Sequence, residues 1–293
     1  ILAEQRKVFE ALQTAGIRFL VMKGGALAHW LYAHATLRLV TDLDILLPEP
    51  AAVAALQPVL AALGYVPVVA NPVANERSFR KPGGPFGHFI VDAHWRLFNR
   101  NLLRDDFSFV ELQAQARVLP DCAGACGLSP LHALFNAIGH RALSLPHRHL
   151  QGIQHADSLR WLWDIHALMT GFDANDWQQA QDLAKDKGWS ALLLEAIRRV
   201  QAEFDTSVPA LLLEALRAQA RSEPMQMHWF ASLPRYQWRE FLASDARWQG
   251  RGRWLWRRLW PDPAWVRTYY GGGVAQAFAW PRRALTAIRR LLW

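Results

Sequence analysis

Asp42-Leu43-Asp44 stands at the head of an apolar run, Leu43 to Leu47. In a strand, side chains at i and i+2 point to the same face. Leu43 and Ile45 can therefore enter a core while both carboxylates project together on the other side. Adjacent carboxylates repel each other and are costly to desolvate. The usual reasons to place them together are a hard divalent cation or a pair with split acid and base duties. A third carboxylate, Asp92, lies inside the apolar run Phe89 to Trp95. If the two runs are neighbouring strands, three carboxylates converge. That oxygen-rich set suits a pair of Mg²⁺ ions, which about 3.5–4 Å apart support in-line phosphoryl chemistry. The plain alternatives are turn-forming or helix-capping aspartates at 42 and 44, and a buried salt-bridged carboxylate at 92.

The elements that must position these residues can be read around them. Residues 2–15 carry Leu2, Val8, Phe9 and Leu12 at helical spacing. Ile17 to Met22 has the length of a strand, and Lys23-Gly24-Gly25 breaks it ahead of a helix at 26–32. Glycines there let the backbone approach a phosphate, and the helix N-terminus offers free N–H donors. Leu43 to Leu47 is a second strand, 49–63 a helix, Tyr65 to Val69 a third strand and Phe89 to Trp95 a fourth. The Pro- and Gly-rich stretch 71–87 reads as loops. Helices alternating with strands over the first 100 residues predict an α/β sheet domain. After Asn101 no strand pattern recurs. Helices are predicted over 130–143, 158–169, 173–187, 190–204 and 209–221. The domain reading is 1–105 for the sheet domain, 128–234 for a helical domain and 235–293 for a basic helical tail.

In combination these residues resemble the nucleotidyltransferase superfamily of polymerase-beta-like fold. Its pattern is a Gly-Gly or Gly-Ser turn, an Asp-x-Asp strand and a later single carboxylate. Lys23-Gly24-Gly25-Ala26-Leu27, Leu37-Arg38, Asp42-Leu43-Asp44-Ile45-Leu46 and Val91-Asp92-Ala93-His94-Trp95 are similar to one branch, the uncharacterised bacterial nucleotidyltransferases with a helical C-terminal region. The likeness covers residues 15–100 and extends more loosely to Leu159–Ile165. It implies an α+β fold: a mixed sheet with flanking helices, followed by an all-helical region. It also implies transfer of a nucleoside monophosphate from an NTP, ATP included, to an acceptor hydroxyl. Asp42, Asp44 and Asp92 would be the catalytic and metal-holding residues, with Mg²⁺ or Mn²⁺ as cofactor. Gly24 and Gly25 would cradle phosphates, and Lys23 and Arg38 would neutralise their charge. His94 and Trp95 would line the nucleotide pocket, unless they are a hydrogen-bonded and a core residue. A small-molecule or glycan-related acceptor is favoured. A toxin-like enzyme acting on tRNA or protein, and a non-catalytic nucleotide-binding or scaffolding protein, are the competing readings. Asp44→Ala is expected to abolish turnover with the fold intact, because carboxylates exposed in a cleft contribute little to stability.

The chain has 293 residues, 52% apolar and 20% charged, a globular balance that excludes a disordered chain. No apolar run is long enough for a transmembrane helix, and no signal peptide is expected from the amphipathic start. Two cysteines, Cys122 and Cys126, exclude a disulfide framework and fit a cytoplasmic setting; their spacing makes only a weak zinc case. His147, His149 and His155 read as a surface loop, and His140 and Arg141 as the end of a helix that could face the cleft. The net charge of +8 is unevenly placed. From Arg235 onward, 12 Arg stand against three acids, a net of +9, which leaves −1 for residues 1–234. The same tail holds eight of the 15 Trp. Three readings compete for it: Trp packing with solvated Arg, peripheral binding at the inner membrane face, and nucleic-acid contact.

Overall fold

The computed structural model describes residues 1–69, 75–103, 105–148, 158–244, 251–252 and 255–256. Those residues divide into two compact units, Ile1–Gly127 together with the residues from Gln237 on, and Leu128–Tyr236.

The first unit is built on one mixed sheet of seven strands: β1 Leu20–Val21, β2 Leu43–Leu46, β3 Val66–Pro67, β4 Glu76–Pro82, β5 His88–His94, β6 Arg117–Val118 and β7 Cys126–Gly127. Their order is β3-β4-β5-β2-β1-β7-β6. β2 runs parallel to β5 and β1 parallel to β7, while the remaining neighbours are antiparallel. Helices α1 Leu2–Thr14, α2 Lys23–Trp30, α3 Ala52–Ala62 and α4 Phe109–Ala114 accompany it. The α+β reading is therefore correct.

Alternation decides which side of the sheet is core. Leu43 and Ile45 of β2, Val91 and Ala93 of β5 and Phe79 of β4 are buried in one cluster. Val8, Phe9 and Leu12 of α1 and Leu56 and Leu60 of α3 complete it. Each such aliphatic or aromatic side chain contributes roughly 1.5–3 kcal/mol by leaving water. The opposite face of β2 and β5 carries Asp44, Asp92 and His94 beside Leu46 and Ile90.

Three sequence expectations change. The stretch 71–87 is not only loop: Glu76–Pro82 is a full strand. It was hidden because Phe79 is its only large apolar residue; its other positions are polar or proline. Gly83 and Gly84, at φ +121° and +75°, turn it back into β5. The Phe89 ring lies 3.0–3.2 Å from where a Cβ on Gly84 would stand. Past Asn101, β6 and β7 add two-residue pairings at the other edge, too short to leave a sequence pattern. Helix α2 also starts earlier than expected, at Lys23, so both glycines lie inside it.

The second unit is helical, with α5 Pro130–Arg148, α6 Leu159–Thr170, α7 Ala174–Lys187, α8 Ser190–Phe204 and α9 Ala210–Ser222. Trp189 is fully buried, its ring 5.7 Å from that of Phe135. Asp173 and Asp176 form a capping box at the start of α7, and Gly188 ends it in the left-handed conformation. Because α5 continues to Arg148, His140 and Arg141 are in its interior and not at its end. Arg141 is 2% exposed and its Nη2 donates to Glu195 at 3.0 Å. It is committed to that ion pair, and the His140 ring packs edge-on to Trp161.

Helix α10, Leu233–Ala243, opens the basic tail. Its Glu240 is buried and accepts the backbone N–H groups of Asn101 at 3.1 Å and Leu102 at 2.9 Å. Arg247, Trp248, Arg253, Trp254, Arg257, Arg258, Trp260 and the basic and aromatic residues after them lie outside the described residues, as do His149 and His155. Among the described residues, no helix is long and apolar enough to cross a membrane.

Candidate active site

The polar face of the sheet is organised by strand register. Asp44 of β2 pairs directly with Asp92 of the parallel β5. Across the antiparallel pair, Asp92 faces Ser78 and His94 faces Glu76 of β4. Two rows of side chains thus share one face: Ser78, Asp92 and Asp44 in one, Glu76, His94 and Leu46 in the next. Asp42 precedes β2 by one residue and its Oδ1 accepts the Thr41 hydroxyl at 2.9 Å. The convergence of Asp44 and Asp92 is thus present, with Asp42 at the head of the same strand.

Lys23 reaches this face from the end of β1. The ladder continues one residue past β1, with the Met22 N–H donating to the Asp44 carbonyl at 3.0 Å. Lys23 then takes φ +52°, the left-handed region that a non-glycine residue enters only at a cost. That bend ends the strand, starts α2 and directs the Lys23 ammonium to Asp44 Oδ1 at 2.6 Å. The same oxygen accepts from His94 Nε2 at 2.9 Å. His94 Nδ1 faces Asn99 Oδ1 at 3.2 Å and Glu76 Oε2 at 3.4 Å, and Asn99 Nδ2 donates to that Glu76 oxygen. His94 is 1% exposed and anchors Asp44 as a hydrogen-bonded residue.

The surroundings of the two facing aspartates shift them in opposite directions. Burial alone would raise the Asp44 carboxyl, but the Lys23 ammonium and the His94 N–H outweigh it and hold Asp44 well below the usual carboxylate range. For Lys23, burial alone would lower the ammonium; Asp44 and, more weakly, Asp42 reverse this and raise it. Asp92 has the opposite balance. Burial, then the charge of Asp44, push it up to about 6 against a hydrogen bond from Ser78. Its Oδ1 is buried without a partner. Asp44 is 4% exposed and doubly bonded. The expectation that Asp44→Ala leaves the fold untouched is therefore corrected: truncation would leave Lys23 and His94 facing an empty position.

The glycines have packing roles. A Cβ on Gly25 would meet Leu43 Cδ1 at 3.3 Å and Gln5 Nε2 at 3.4 Å, so Gly25 lets α2 approach β2. A Cβ on Gly24 would stand 3.1–3.2 Å from the Arg38 guanidinium, which lies over the first turn of α2. Arg38 is mostly buried and its Nη1 donates to the Leu39 carbonyl. Trp95 is half-buried and pairs through its backbone N–H with the Asn75 carbonyl, past the end of β5.

Sequence reasoning missed Glu76, Ser78 and Asn99. A turn at Pro82-Gly83-Gly84-Pro85 ahead of a strand was the available signal, since such a turn asks for a partner strand on its other side. The donor chemistry suits a hard divalent cation: facing carboxylates, one with a buried orphan oxygen. Among the described residues, no three His, Cys, Asp or Glu side chains are already gathered as ligands. Cys122 and Cys126 form no such centre, and burial pushes the Cys122 thiol up to about 11.

No curated protein matches the chain. A sequence profile of the uncharacterised nucleotidyltransferase family matches residues 1–205, which spans the whole sheet and the helices through α8. That match covers well over half of the chain and includes every residue of the Lys23–Asp44–Asp92 constellation, so the chain belongs to the uncharacterised nucleotidyltransferase family.

Proposed function

We propose that the protein transfers a nucleoside monophosphate from an NTP to an acceptor hydroxyl, with Asp42, Asp44 and Asp92 as its catalytic carboxylates and Mg²⁺ or Mn²⁺ as cofactor. The observation that carries this reading is the register of β2 on β5, which sets Asp44 opposite Asp92 on the polar face of the sheet. Asp42, Asp44 and Asp92 would hold the divalent cation, which when bound supplies Lewis-acid neutralisation of phosphate charge. Phosphoryl chemistry asks mostly for positioning and charge neutralisation, so no covalent nucleophile is required.

The chain's own residues take defined parts. Arg38, laid over Gly24, and Lys23 neutralise phosphate oxygens. The acceptor oxygen forms a bond to the α-phosphorus as the bond to the β-phosphate oxygen breaks, and pyrophosphate leaves. The acceptor proton passes to Asp92 Oδ1, an oxygen with no other partner and a carboxyl raised toward neutrality, as a general base requires. His94, fixed by Glu76 and Asn99, positions Asp44. The near-neutral residues 1–234 favour a small-molecule or glycan-related acceptor over a long nucleic-acid track.

The test is incorporation from each of four α-labelled NTPs, with Mg²⁺, into three acceptor pools: small molecules and glycan precursors, tRNA, and lysate proteins. Label in the first pool, lost in Asp44→Asn, is the expected result. Label in tRNA or protein instead would make the enzyme toxin-like. Label in none of them, with Asp44→Asn still working in the cell, would leave a non-catalytic binding protein.

A further inference from the structure

Asp44 Oδ1 carries two partners of different kinds. His94 is 1% exposed and locked from behind by Asn99 and Glu76, so it cannot leave without unmaking the sheet face. Lys23 approaches from the open side on a flexible stem, with a quarter of its side chain exposed. It is brought there by a left-handed backbone conformation at φ +52°. A residue with a Cβ holds that conformation only at a steric cost. The chain thus spends strain to seat an ammonium on the carboxylate that the proposed reaction needs for a divalent cation. Directly across the strand pair, Asp92 Oδ1 is kept without a partner.

We propose that Lys23 is an intramolecular placeholder for the divalent cation, neutralising Asp44 in the empty site and yielding Oδ1 only when a nucleotide offers its phosphates to the ammonium. This rests on the nucleotidyltransferase reading above. A tethered ammonium competes at high effective concentration with a free cation. Cation alone is therefore held weakly. A triphosphate gives Lys23 a second anionic partner and removes that competition. Cation and nucleotide then promote each other's binding, and the coupling is reciprocal. The placeholder also keeps a buried carboxylate from standing uncompensated between turnovers.

The experiment is Mn²⁺ binding to the full chain, followed by the electron paramagnetic resonance of free Mn²⁺, with and without a non-hydrolysable NTP analogue. In the unsubstituted protein the analogue is expected to tighten Mn²⁺ at least tenfold. Lys23→Met is expected to bind Mn²⁺ at least tenfold more tightly without nucleotide and to gain less than threefold from the analogue. Asp44→Asn is expected to lose Mn²⁺ in both backgrounds. Equal Mn²⁺ affinity in the unsubstituted protein and Lys23→Met, with Asp44 still required, would overturn the placeholder and leave the metal-dependent reading standing. No Mn²⁺ bound by either protein, with or without analogue, would overturn both. A second measurement needs no variant. The chain has five lysines, so acylation of Lys23 can be followed by mass spectrometry against the other four. Saturating Mn²⁺ is expected to speed Lys23 labelling at least threefold, and the analogue to suppress it again. Labelling unchanged by a cation that binds would contradict the displacement.

Discussion

The molecule contains two lysine–carboxylate pairs of the same length in the same unit. Lys23 meets Asp44 at 2.6 Å and Lys81 meets Glu4 at 2.6 Å. Both carboxylates have further partners, His94 for Asp44 and, for Glu4, the Tyr65 hydroxyl at 3.3 Å and the Lys7 ammonium at 4.0 Å. What differs is the remaining charge. The Lys81 ammonium also lies 5.6 Å from the centre of the Tyr65 ring, and the cluster ties α1 to the β3–β4 edge. Beside Asp44 stand Asp92 and Glu76, carboxylates on two further strands with one orphan oxygen between them. A pair with no surplus acid around it needs only a structural explanation. A pair with surplus acid around it, seated by a residue at φ +52°, fits the divalent cation proposed for this face.

The largest expected effect separates the two pairs by activity. Asp44→Asn should lower nucleotidyl transfer by at least about 10³-fold, while Glu4→Gln should leave it within about threefold of the unsubstituted rate. Denaturant unfolding should find both less stable by about 2 kcal/mol, because each leaves a lysine without its counter-charge. Loss of transfer in Glu4→Gln comparable to Asp44→Asn would dissolve the contrast.

Asp92→Asn comes next, with a drop in transfer of about 10²-fold and a stability change of opposite sign. The folded-state pKa of Asp92, about 6, lies above its ordinary value, so this group's contribution is fully present below about pH 4 and is lost as pH rises through about 6. In metal-free buffer at pH 7.5, Asp92→Asn should be more stable than the unsubstituted protein by on the order of 2 kcal/mol, a gain that vanishes at pH 4. A gain of equal size at both pH values would show that the charge is not its cause.

A smaller effect is expected at the first turn of α2. Gly24→Ala sets a methyl 3.1 Å from the Arg38 guanidinium. It should raise the KM for nucleotide about five- to tenfold with little change in kcat, at a stability cost under about 1 kcal/mol. The smallest belongs to the structural pair. Tyr65→Phe removes one hydrogen bond to Glu4 and should cost about 1 kcal/mol with no kinetic change.

The sheet strands nearest the site were legible because β2 and β5 set aspartates within apolar runs, with Asp44 and Asp92 at matching places in them and Asp42 at the head of β2. β4 was not legible. Its residues are mostly polar, and its role is set by pairing with β5, which periodicity in a single segment does not encode. Glu76, Ser78 and Asn99 went with it. The burial of Asp44 was also out of reach, since it depends on Lys23 turning through a left-handed conformation and on His94 lying behind the strand. The glycines were recognised, but not their packing: Gly25 serves the approach of α2 to β2 and Gly24 the seat of Arg38.

The proposed Asp44–Asp92 face would bind an NTP together with a divalent cation. Thermal unfolding of the unsubstituted protein, Glu4→Gln and Asp92→Asn, each with Mg²⁺ and millimolar ATP, GTP, CTP or UTP, tests it most directly, because ligand bound to the native state raises the melting temperature by mass action. At least one NTP should raise the melting temperature of the first two proteins, and none should raise that of Asp92→Asn. An equal shift in Asp92→Asn, or no shift in any protein, would contradict it.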